Sequence, residues 1–123
     1  CKILQIKTLK AEDGTVGYGR KGHIAPEGTV IATIPVGYAD GIDRRLGQGH
    51  FSFSLNGHRV PTIGNICMDM CMLDITGVDA KVGDTVTIYG DDPRITEISD
   101  FLGTISYEVM TKTPRRIERV IVR

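Results

Sequence analysis

Short runs in which apolar and polar residues alternate recur along this chain, and glycine-bearing turns separate them. That period-two rhythm, rich in Val, Ile, Thr, Phe and Tyr, predicts strands over 2–10, 28–38, 50–55, 58–63, 70–75, 84–90 and 118–123. Asn56-Gly57 lies between two of these runs in "SLNGHRV", and both residues suit a two-residue turn whose central positions need positive φ. Residues 50–55 and 58–63 are therefore expected to form a hairpin. A helical pattern appears only late. In "TEISDFLG", Ile98, Phe101 and Leu102 fall on one helical face, and Gly103 can supply a left-handed C-terminal cap. A second short helix is expected over "ISYEVMTK", before Pro114. The fold class implied is mainly β, a small β-barrel or Greek-key-like domain with two or three short helices.

Composition narrows the choice of partners. At 123 residues the chain reads as one domain, and its fifteen glycines are scattered without repeat or low-complexity tract. Fifteen basic residues balance fifteen acidic ones, so no charge footprint favours nucleic acid or an anionic membrane, and neither is expected as a partner. No run approaches the apolar length of a membrane span. Three cysteines are an odd number, which argues for reduced thiols and a cytoplasmic setting. The chain begins at Cys1 and enters a strand-like run at once, so it reads as a piece of a longer protein.

The candidate chemistry concentrates in "GNICMDMCM", residues 64–72, where Cys67, Cys71, Met68, Met70 and Met72 surround Asp69. Such soft side chains suit copper or zinc. On a strand, however, Cys67, Asp69, Cys71 and Leu73 would share one face and the three methionines the other. No Cys-x-x-Cys pair or nearby His completes a ligand set, so no metal is expected and packing is the simpler role. His23, His50 and His58 are paired with no nucleophile and stay unassigned, and "GYGRKG" lacks the strand-to-helix setting of a phosphate loop. Three tyrosines stand in glycine-flanked or polar surroundings, Tyr18, Tyr38 and Tyr107. Little bulk adjoins Tyr18 in "VGYGR", so its ring can reach out of the domain or another chain can approach closely. The residues alone leave packing, interface and catalysis open.

The ordered segments "VGYGRKG", "IATIPVGYADGIDRRL", "VPTIGNICMDMCMLDI", "VGDTVTIYG" and "ISYEVMTK" resemble the C-terminal β-domain of the bacterial alanine racemases, which depend on pyridoxal phosphate. The resemblance runs from about Val16 to the end. It implies that residues 1–123 are the C-terminal domain of a larger racemase whose N-terminal β/α barrel binds the pyridoxal 5'-phosphate through a lysine. Tyr18 then matches the catalytic tyrosine that reaches into the partner subunit's active site, making the enzyme a homodimer with shared sites. A free phenol titrates near about 10, so proton exchange at neutral pH needs neighbouring cations. Tyr38 matches the tyrosine that narrows the substrate entrance, and Arg44 an arginine lining the corridor to it. Met68 matches a methionine whose backbone N–H contacts the substrate carboxylate, and Asp69 a residue supporting that segment.

Two positions depart from the pattern. Asn65 stands where several members carry a corridor arginine, and Arg115 where some carry a tyrosine that contacts the cofactor phosphate; an arginine's guanidinium fork also suits phosphate. The function implied is interconversion of L- and D-alanine for cell-wall synthesis, with the isolated fragment inactive. The rivals are a serine racemase domain, including forms fused to a ligase or a membrane protein, and a non-catalytic β-barrel module for dimerisation or binding. A Cys/Met metal-binding barrel is a third.

Overall fold

The structure, a computed structural model, describes the whole chain from Cys1 to Arg123. Its strands are β1 (Gln5–Leu9), β2 (Thr15–Val16), β3 (Gly22–His23), β4 (Thr29–Ile34), β5 (Ser52–Leu55), β6 (His58–Pro61), β7 (Cys71–Asp74) and β8 (Val86–Thr87), followed by helices α1 (Ile95–Leu102) and α2 (Ser106–Thr111). They form three antiparallel sheets that do not close into a single barrel: β1-β4-β7, the small hairpin β2-β3, and β6-β5-β8. Isolated bridges link the two larger sheets, Thr62 to Leu73 on one side, and Lys2 to Thr85 at the N-terminus. The mainly β class and the two late helices follow the expectation.

The core lies between the larger sheets and the helices. Ala32, Ile34, Cys71 and Leu73 from the first sheet meet Phe53, Leu55, Val60 and Val86 from the second, and Ile98, Leu102 and Val109 cap them from α1 and α2. Phe53 is fully buried, with Phe51 packed at 5.6 Å between ring centroids. Phe101 meets Phe51 edge-on at 6.0 Å, which explains an apolar residue left half-exposed on α1. The opposite face of β4 and β7 is buried too, in a smaller cluster of Val16, Ile31, Ile63, Cys67 and Met72. Both faces of β7 are thus covered, which is why its sequence is a continuous apolar run.

The Asn56-Gly57 hairpin forms as predicted, with φ of 49° and 78° at the two turn residues and Leu55 opposite His58. Gly103 caps α1 at φ 69°, and the Thr104 N–H closes the cap on the Ser99 carbonyl at 2.9 Å. Three expectations need correction. Residues 67–70 form a turn, closed by the Cys67 N–H on the Met70 carbonyl at 3.0 Å, and the strand begins only at Cys71. A strand is absent over 118–123, because no sheet edge lies beside that segment. Val120, Ile121 and Val122 are 73, 89 and 86% exposed, and only Arg119 is tied down, donating to the Thr113 carbonyl at 3.0 Å. The run expected over 84–90 is likewise cut to Val86–Thr87, since the chain bends away from Ile88 onward.

Charge fastens the periphery of this frame. Arg59 on β6 grips Asp92 and, at 2.9 Å, Glu97 on the first turn of α1, while the Ser54 hydroxyl donates to Asp92 at 2.7 Å. Hydrogen bonds from Arg45, Asn56 and Arg59 hold the Asp43, Asp84 and Asp92 carboxyls, respectively, below the usual carboxylate range. A carboxyl depressed in the folded state stabilises fully above its unfolded pKa of about 4, and that stability is lost as pH falls through the folded value. The urea midpoint should therefore fall steadily as pH is lowered from about 5 to 3. Arg59→Met should make the fall shallower, and an unchanged slope in that variant would remove Asp92 from the explanation.

Candidate functional site

Tyr18 sits at the tip of the β2-β3 hairpin, where Gly17 at φ 76° and Gly19 at φ 71° take backbone conformations that residues with a Cβ rarely adopt. Its ring is 76% exposed, and its hydroxyl bonds to nothing in the chain. Tyr38 follows β4 at a sharp turn whose pivot is Gly37. A Cβ at Gly37 would lie 2.2 Å from the Cys67 carbonyl oxygen and 2.5 Å from that of Met68. No residue with a side chain fits there without moving backbone. The same approach lets the Tyr38 N–H donate to the Cys67 carbonyl at 2.9 Å and the Ala39 N–H to that of Met68 at 3.0 Å. The Tyr38 turn is thereby bolted to the Cys67–Met70 turn.

Arginine neighbours differ sharply in what they do. Arg45 donates to Asp43 through both its backbone N–H and its guanidinium, at 2.9 and 3.0 Å, and to the Leu102 carbonyl at 3.3 Å, so it is spent on holding its own turn against the end of α1. Arg44 is exposed and makes no ion pair. A similar division holds near the C-terminus, where the Arg116 guanidinium faces the buried Asp40, which in turn accepts the Gly37 N–H at 3.0 Å. Arg115 is exposed and unpaired in the turn after α2, outside the cavity described next.

These elements surround a cavity of about 420 Å³, lined by Tyr18, Tyr38, Arg44, Asn65, Met68 and Asp69, with Ile66, Cys67 and Met70 completing its wall. Three connections far apart in the chain, β2–β3, β4–β5 and β6–β7, deliver those side chains to one place. The Met68 N–H finds no acceptor in the chain, and the Asp69 carboxylate no donor, so both remain available at the cavity. The cavity therefore offers an unpaired amide and an unpaired guanidinium, which together suit a carboxylate, beside two phenols able to carry a proton. No lysine lines it. Met68, Met70, Tyr18 and Tyr38 leave about half or more of their surface to solvent, giving the cavity an apolar rim.

The sulfur chemistry falls away on packing grounds. Cys71 is buried in the main core, and burial, helped by Cys67 nearby, pushes its thiol up to about 12, so it stays protonated and unreactive. Cys67 is buried in the smaller cluster, and no three His, Cys, Asp or Glu side chains assemble as a metal cage. All three histidines are exposed and lie outside the cavity. A second, apolar cavity of about 410 Å³ beneath β8, α1 and α2 contains none of the candidate residues. Spacing alone gave no sign of Gln48, which reaches the site's edge through Asn65.

Fold and site together define a mainly β domain that presents an open, tyrosine-rimmed cavity suited to a small carboxylate. Residues 1–121 match the family of the alanine racemase C-terminal domain, and the chain belongs to that family. It is 45% identical over 113 residues to alanine racemase 1 of Clostridium acetobutylicum, covering 88% of this chain and 29% of that protein. The alanine racemase of Bacillus anthracis, solved with bound L-Ala-P, superposes with a TM-score of 0.88 at 34% identity, covering 99% of this chain and 31% of that one. That of Bartonella henselae, with covalently bound pyridoxal phosphate, gives 0.89 at 32% identity over 98% and 33%. The chain thus spans about a third of the length of these relatives.

Gly37→Ala should cost about 1–3 kcal/mol, since a Cβ there overlaps two carbonyl oxygens that cannot retreat without breaking the turn. Urea unfolding checks this, and a variant as stable as the parent would show that the two turns are not locked together.

Proposed function

We propose that this chain is the C-terminal domain of a cytoplasmic, pyridoxal phosphate-dependent alanine racemase that interconverts L- and D-alanine for cell-wall synthesis. The observation that carries the reading is the convergence of Tyr18, Tyr38, Arg44 and the unpaired Met68 N–H on one cavity. Racemisation at a carbon needs one group to remove the α-proton and another to return a proton on the opposite face. Tyr18 is the group on one face, its phenolate oxygen accepting the α-proton of L-alanine and the resulting phenol returning one in the reverse reaction. The opposite group is a lysine of the preceding domain, consistent with a cavity that no lysine lines.

The other residues bind and orient. The Met68 N–H donates to the substrate carboxylate, which answers the question posed by its sulfur-rich neighbours: the segment works through its amide. Arg44 supplies positive charge along the approach, Tyr38 narrows the entrance so that only small amino acids pass, and the Asp69 carboxylate, unpaired within the chain, supports that segment by taking a donor once the site is completed. When bound, pyridoxal phosphate draws electrons from the α-carbon and so makes its proton removable. Arg115, its guanidinium unpaired, is the residue of this chain suited to contact the cofactor's phosphate. The outward projection of Tyr18 supports a site shared with a second subunit, and an isologous homodimer would contain two such composite sites. The apolar rim of methionines and tyrosines fits burial in that contact.

The test is D-alanine formation from L-alanine by the full-length protein with pyridoxal phosphate, wild type beside Tyr18→Phe. The wild type should racemise alanine, and the variant should lose a factor of about 10² or more while remaining folded and dimeric. Inactivity of the wild type on alanine would reject the reading, and activity on serine alone would redirect it to a serine racemase.

A further inference from the structure

The hairpin that carries Tyr18 is packed at its base through Val16 and held by little at its tip. Its two strands have two residues each, and a ladder that short has little stability of its own. Val16 packs into the smaller cluster, but the only hydrogen bond between residues 15–23 and the rest of the chain comes from Asn65, whose Nδ2 donates to the Tyr18 carbonyl at 2.9 Å. The Asn65 Oδ1 accepts from the Gln48 Nε2 at 2.8 Å. Gln48 is itself seated by its backbone N–H, which donates to the Gly64 carbonyl at 2.8 Å. The orientation of the Asn65 amide is fixed by these partners: a carbonyl can only accept, so the NH2 group must face Tyr18, leaving the oxygen for the Gln48 donor.

We propose that Asn65, held by Gln48, is a positioning residue that clamps the backbone of Tyr18 and so aims its phenol across the cavity. The inference rests on the reading of Tyr18 as a proton-transfer group. Three further features make the clamp consequential. Gly17, Gly19 and Arg20 all sit at positive φ, so the loop has a backbone with wide conformational freedom around Tyr18. The side chain of Tyr18 makes no hydrogen bond that could steer it from its other end. Asn65 lies one residue from Ile66 and three from Met68, so the clamp fixes the tyrosine relative to the same segment whose amide faces the substrate. A displacement of about 1 Å between a proton acceptor and its target can cost about 10² in rate.

The experiment uses the full-length protein, wild type beside Asn65→Leu, which keeps size and neutrality but cannot donate. Amide hydrogen exchange read by mass spectrometry should be about tenfold faster over residues 16–21 and unchanged in β4 and β5. For alanine, kcat should fall about ten- to a hundredfold while KM stays within about twofold. In a Tyr18→Phe background the same substitution should lower the rate little further, because its effect passes through the phenol. Gln48→Leu, on an exposed side chain, should give the same pattern at smaller size. Unchanged exchange over 16–21 would overturn the clamp whatever the activity, and losses that multiply with Tyr18→Phe would overturn its action through that residue. Faster exchange in a protein whose wild type does not racemise alanine would keep the clamp and reject the racemase reading.

Discussion

Backbone approaches backbone at the site more closely than any side chain would permit, and the arrangement of the cavity depends on it. Gly37 lies against the carbonyls of Cys67 and Met68, and Gly64 lies where an added Cβ would meet the Val16 carbonyl at 2.5 Å. The first contact joins the end of β4 to the Cys67–Met70 turn, and the second brings the Tyr18 hairpin onto the segment just before that turn. With a Cβ at either point the loops would separate, and the cavity would lose the convergence of two phenols, a guanidinium and a free amide. At Gly37 glycine is needed for its missing side chain alone, since φ −144° is one any residue can adopt, whereas Gly64 also sits at φ 71°.

Beneath those contacts, the two buried clusters divide the labour. The larger one holds the sheets and helices together and supplies rigidity. The smaller one lies directly under the cavity and ties Val16, Cys67 and Met72, that is the hairpin, the turn and β7, to a common floor. Above this floor the reactive groups are exposed and unpaired, which is costly for a finished binding site and natural for half of one. On the racemase reading, surfaces from outside the domain would complete a site with this apolar rim and these unpaired groups.

Much of the frame was legible in the sequence because local rules decide it. Asn56-Gly57 demanded a tight hairpin, the Ile98, Phe101, Leu102 stripe demanded a helix, and Gly103 ended it where expected. Alternation misled at residues 67–70, where a strand reading put the cysteines and methionines on opposite faces; the chain instead turns, exposing Met68 and burying Cys67. It misled again at 118–123, because a pattern can show that a segment is able to pair but not that an edge lies beside it. Site residues Tyr18, Tyr38, Arg44, Met68 and Asp69 were named from the family resemblance, and they do share one cavity, whereas Arg115 stands apart from it. Nothing in spacing foretold the Gln48–Asn65–Tyr18 chain, since it joins residues through hydrogen bonds across 17 and 47 positions.

The central claim is that this domain completes a site belonging to another subunit, and mixed dimers test it most directly. One parent would carry Tyr18→Phe and the other would lack the cofactor-binding lysine of the preceding domain, each being inactive alone. If the account holds, mixing them under conditions of subunit exchange restores alanine racemisation, because one of the two sites in each heterodimer receives an intact tyrosine and an intact lysine. No recovery in heterodimers that demonstrably form would place Tyr18 in its own subunit's site and contradict the account.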